Sequence, residues 1–184
     1  MFIDSHCHIN FPELAARMDE VLALMDQAQV DRALVISTTL ESFPEVHGLA
    51  TTYDNFWCTA GVHPDEEGVQ EPTLDDLLAM GQHPKVVGIG ETGLDYYRLG
   101  ERTVADMEWQ RERFRRHIRC AQSLRLPLVI HTRSASAETR RSRSSQAGPP
   151  GLLRLGAGAA RVAIAVAPFN AMRRPWHVHH LSTT

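Results

Sequence analysis

The sequence predicts an α/β fold: a parallel sheet covered by helices, of the (β/α)8 TIM-barrel kind, with about five β/α units present. Three observations predict it. Five short runs are apolar throughout, as strands buried on both faces must be. Segments with apolar residues at helical spacing alternate with those runs. Histidines and a glutamate collect at the C-terminal ends of several strands, where barrel enzymes build their sites. An open doubly wound sheet would more often carry a Gly-rich phosphate loop after its first strand. Here that strand runs instead into His6-Cys7-His8.

The elements follow in order. Phe2 to His6 reads as a short buried strand. Pro12 and Glu13 open a helix through Ala28, with Leu14, Met18, Val21, Leu22 and Met25 on one face. Arg32 to Ser37 is a second strand, and Glu41 to Thr52 a weaker helix. Asn55 to Val62 is a third strand, ending at His63-Pro64. Thr73 caps a helix to Gly81, because Asp76 lies three residues on and leads an apolar run. Lys85 to Ile89 is a fourth strand, closed by Gly90-Glu91-Thr92-Gly93. Val104 to Leu124 is a long helix, basic on its outer face. Pro127 to Ile130 is a fifth strand ending at His131.

Composition bounds the rest. A chain of 184 residues, 43% hydrophobic and 22% charged, suits one soluble domain or a fragment of a larger one. No apolar run is long enough to span a bilayer, and the start lacks a signal peptide's basic region. Three scattered cysteines, Cys7, Cys58 and Cys120, fit a reducing cytoplasm better than a disulfide framework. Charge is unevenly placed. Residues 1–138 hold every acidic residue and a net charge of −10, whereas 139–184 hold seven arginines and a net charge of +7. Residues 140–150 read as a linker, Val162 to Val166 as an isolated strand, and His177, His179 and His180 as a second histidine group. Residues 1–138 are thus expected to form the barrel segment, and 139–184 a poorly packed Arg/Ala/Gly-rich tail.

The strand-end residues suggest a hydrolytic metal centre. Such a centre needs neutral imidazoles and carboxylates held rigidly, with room for water. His6 and His8 lie two apart, so an extended strand projects both to one side. Glu91 offers a carboxylate able to bridge two cations, and His131 a further imidazole. Asp4 is expected to accept a hydrogen bond from a ligating imidazole, and Cys7 to point the other way as a packed thiol. Taken singly, each has an ordinary reading as a strand-end or capping residue. His47, His83 and His117 read as surface residues. Zinc, manganese and magnesium all suit such donors.

These residues resemble the TatD family of metal-dependent hydrolases. The resemblance lies in Phe2 to Asn10 (FIDSHCHIN), Gly61 to Pro64 (GVHP), Gly88 to Arg98 (GIGETGLDYYR) and Leu126 to Thr139 (LPLVIHTRSASAET). It implies a TIM barrel that hydrolyses phosphodiester bonds, in DNA or a smaller substrate, with two divalent cations. By that resemblance His6 and His8 hold the first cation, Glu91 bridges as the catalytic carboxylate, and His131 holds the second. His63 and Arg133 approach the substrate phosphate. Family members continue with a histidine in an HCF-type motif and an aspartate in an ETDSPYL-type motif. Neither occurs here.

The compositional change near residue 139 reads as the same gene in another frame, to be tested by translating the other frames downstream. A short variant using His177, His179 or His180 as ligands is the rival. Functionally, an impaired phosphodiesterase of the TatD-type deoxyribonuclease class is expected. The alternatives are a truncated remnant that binds metal without turnover and an amidohydrolase-like enzyme for small substrates. An incomplete barrel also implies self-association through exposed sheet edges.

Overall fold

The structure, a computed structural model, describes residues 2–142 and the backbone of 143–144 and 161–165. The chain begins with β1 (Phe2–Cys7), α1 (Pro12–Ala15) and α2 (Met18–Gln27), followed by β2 (Val30–Val35) and α3 (Phe43–Thr52). Next come β3 (Phe56–Ala60), α4 (Leu74–Gly81) and β4 (Val86–Asp95). A single 3₁₀ turn at Ala105–Met107 leads into α5 (Glu108–Leu124), then β5 (Leu128–Arg133), α6 (Ser136–Ser144) and β6 (Arg161–Ala165). The sheet order is β1-β2-β3-β4-β5-β6. The first five strands pair in parallel and in sequence order, as successive β/α units of a barrel do. They form the incomplete barrel expected. Among the described residues no helix is long and apolar enough to cross a membrane.

Apolar spacing explains the helix packing. α3 buries Phe43, Val46 and Ala50, a 3-then-4 spacing that puts all three on one face. The α4 capping box forms as the sequence predicts: Thr73 Oγ1 accepts from Asp76 N–H, and Asp76 Oδ2 accepts from Thr73 N–H. α5 contributes Phe114, Ile118 and Ala121 to a core shared with Val35, Phe56, Leu77 and Ile89.

Three expectations are revised, and a fourth gains a partner. The first helix is split, because Arg17 N–H bonds the carbonyl of Leu14 and tightens the end of the α1 turn. β4 does not stop at Ile89 but runs on to Asp95. Gly90 and Gly93 both have φ +138°, and a Cβ on either would meet the β5 backbone, so these glycines allow close strand approach rather than ending the strand. Residues 140–144, expected in a linker, continue α6. The expected strand near Val162 is β6, which pairs with β5 in antiparallel fashion. His177, His179 and His180, with most of the expected tail, lie outside the described residues.

Candidate metal centre

The parallel sheet carries the strand-end residues to one place. His6 lies in β1 and His8 just beyond it, Glu91 lies in β4, and His131 in β5. His63 follows β3 in a turn held by its N–H on the carbonyl of Thr38. Glu91 sits at the middle and is 3% exposed. Its Oε2 lies 3.2 Å from His6 Nε2 and 4.0 Å from His8 Nε2. Its Oε1 lies 3.5 Å from His131 Nδ1. The His63 and His131 ring centroids are 4.4 Å apart.

Two donor groups result, His6-His8-Glu91 and His63-Glu91-His131, each with candidate ligand atoms within 4.8 Å of one another. Glu91 belongs to both. The site residues His6, His8, Glu91 and His131 therefore converge as the sequence suggests. His63, expected only at the substrate, also stands within ligand range. Arg133 lies at the end of β5 with its guanidinium 3.6 Å from the Tyr97 ring centroid, and its buried Nε has no hydrogen-bond partner among the described residues.

The electrostatics suit a cation. Burial alone would raise the Glu91 carboxyl. Hydrogen bonds with His131 and His6 outweigh burial and hold it well below the usual carboxylate range. Burial, aided by the neighbouring His131, lowers His63 to about 4, so its imidazole is neutral. Burial and the adjacent His6 also lower His8. Burial would lower His131 too, but Glu91 and Asp95 raise it. The donor set itself fits divalent metal: four imidazoles surround one ionised carboxylate, and the buried Nδ1 atoms of His6 and His8 have no partner among the described residues.

Asp4 does not take the expected role. Its Oδ1 accepts the His6 backbone N–H at 3.0 Å rather than an imidazole proton. The carboxylate that orients an imidazole is Asp95, 4% exposed, whose Oδ2 lies 2.8 Å from His131 Nε2. Asp95 stands four residues after Glu91 on the same strand, a spacing that returns to the same side. That signal was legible only once β4 was known to extend past Gly93. Cys7 behaves as expected. Its thiol donates to the carbonyl of Leu34, and burial, then Asp4, pushes it up to about 12. His117, expected at the surface, is wholly buried.

The profile of the TatD related DNase family matches residues 3–156. A metal-dependent hydrolase of Escherichia coli K12 described as uncharacterized, YcfH, is 36% identical over 141 residues, covering 74% of this chain and 51% of its own length. The 3'-5' ssDNA/RNA exonuclease TatD of the same organism is 32% identical over 133 residues, covering 72% of this chain and 50% of its own. The crystal structure of YJJV, a TatD homologue from Escherichia coli K12, superposes with a TM-score of 0.71 at 28% identity, over 79% of this chain and 56% of that one. The chain spans about half the length of the curated relatives it matches. With a family profile matched over most of its length and a strand order and donor set consistent with it, this chain belongs to the TatD related DNase family.

Proposed function

We propose that this chain is a divalent-metal-dependent phosphodiesterase of the nuclease kind, acting on nucleic acid or a smaller phosphodiester. The observation that carries the reading is the shared position of Glu91, whose two oxygens are divided between two histidine groups. His6, His8 and Glu91 would hold one cation. Glu91 and His131 would hold a second, with His63 as the donor that the geometry adds. Bound cations supply Lewis-acid polarisation of a phosphoryl oxygen and acidify water.

The chain's own residues do the positioning. Asp95 fixes the His131 ring by holding Nε2, which leaves Nδ1 toward Glu91. His63 Nδ1 accepts from Asp65 N–H, so Nε2 is the nitrogen left for the site. Arg133, its guanidinium against the Tyr97 ring, has an Nε without a partner among the described residues to offer a phosphate oxygen. Zinc, manganese and magnesium all suit this donor set.

A second reading, metal binding without turnover, is favoured by one observation. Among the described residues Glu91 is the only carboxylate in either donor group, so ligation leaves no second carboxylate there as general base. One experiment separates the readings. Purified chain is incubated with single-stranded oligonucleotide and Mn²⁺, Mg²⁺ or Zn²⁺, with and without chelator. Metal-dependent cleavage that falls by at least ~100-fold in Glu91→Gln supports the phosphodiesterase. Metal uptake with no cleavage supports the second reading, and absence of both removes the metal centre.

A further inference from the structure

Three polar residues of α5 face the core: Gln110, Arg113 and His117, exposed 1%, 1% and 0%. Their spacing of three and then four residues puts them on one face of the helix. Each spends at least one hydrogen bond on the backbone that carries the second donor group. Gln110 Oε1 accepts Asp95 N–H at 2.9 Å, and its Nε2 donates to Asp95 O at 3.1 Å and Pro64 O at 3.0 Å. That pattern fixes the amide orientation, because a peptide N–H meets only an acceptor and a carbonyl only a donor. Arg113 Nη1 donates to His63 O at 2.7 Å and Glu66 O at 2.8 Å, while the rest of its fork pairs with Glu71. His117 Nε2 accepts Val62 N–H at 3.0 Å, and its Nδ1–H donates to Arg113 O at 2.8 Å.

The targets are not scattered. Val62, His63 and Pro64 form the turn that presents the His63 imidazole. Asp95 is the residue whose carboxylate orients His131. The first donor group rests on other anchors: His6 N–H on Asp4, and Cys7 O on Ile36 N–H. A purely apolar face would have filled this space without the cost of burying three polar side chains.

We infer that the Gln110-Arg113-His117 stripe consists of positioning residues that set the second donor group, His63 with the Asp95-oriented His131, and leave the first group untouched. The inference rests on the two-cation reading above, and the test keeps the two apart. Co²⁺ is titrated into the intact chain by calorimetry, with the visible absorption of the bound ion recorded alongside. Wild type is compared with Gln110→Met, which keeps length and loses all three hydrogen bonds. His117→Leu is compared with His117→Gln, whose carbonyl can still accept from Val62 N–H.

The expected result is that Gln110→Met and His117→Leu weaken the second equivalent by about 10-fold or more, leave the first within about 3-fold, and that His117→Gln recovers most of the loss. Space-filling alone would not produce that recovery. Unchanged binding of both equivalents, or equal weakening of both, overturns the inference while leaving the two-cation reading standing. Fewer than two equivalents in wild type overturns that reading and the inference with it. If Gln110→Met does not fold, the His117 pair decides by the same criterion.

Discussion

His117 shows what single residues hide. Its imidazole is neutral because both nitrogens are assigned, Nδ1 donating to Arg113 O and Nε2 accepting from Val62 N–H. Complete burial lowers it from the ordinary 6.5 to about 4. The unfolded chain therefore takes up the proton first. The stability that His117 contributes is whole above pH 6.5, and it is lost as pH falls toward 4, by roughly 3 kcal/mol at the limit. Urea melts at pH 7.5 and 4.5 should show wild type losing more stability than His117→Gln by roughly 2–3 kcal/mol. Equal losses would count against it. The sequence read His117 as a surface residue, because a polar side chain at a core position looks like an exposed one in any hydropathy pattern. The candidate donors were easier. His6, His8, Glu91 and His131 announce themselves by residue type at strand ends, and only their distances needed the fold. Asp95 was missed because it lies past Gly93, beyond the point where the sequence suggests that β4 ends.

At the scale of elements, local chemistry was most legible where one short motif decides the outcome. Thr73 and Asp76 build the α4 cap from four consecutive residues. Thr73→Ala removes the acceptor for Asp76 N–H and should cost about 1 kcal/mol, read as a lower denaturation midpoint with an unchanged slope. No change would mean that water or another group serves the N-terminus equally well. β4 was the opposite case. Glycines at 90 and 93 look like a terminating turn, yet the strand continues because β5 passes so close. A Cβ on Gly93 would stand 2.0 Å from His131 O. That requirement comes from the neighbouring strand and is absent from the local sequence. α5 combines both cases. Its apolar face and basic outer face were visible, whereas its buried polar stripe is defined by the backbone it holds.

For the whole molecule, the parallel order of β1 to β5 followed directly from the alternation of apolar runs and helices, since short crossovers place successive strands side by side. The antiparallel pairing of β6 did not, because nothing in an isolated apolar run fixes its direction. β1 stands at an edge of the described sheet, and Phe2, Phe11 and Leu24 are 43%, 41% and 54% exposed. An edge strand with apolar neighbours is a template for another chain. Light scattering after size exclusion should therefore give a mass that rises with concentration, and Phe2→Lys should reduce the rise. A single monomeric mass across a wide concentration range would exclude association through this edge.

The division of Glu91 has a further consequence. One oxygen serves His6 and His8 and the other serves His131, so whatever occupies one side redistributes charge on the other. On the two-cation reading proposed above, the two halves would not be independent: filling either one would change the affinity of its neighbour by a factor that is the same in both directions, a reciprocity demanded by thermodynamic linkage.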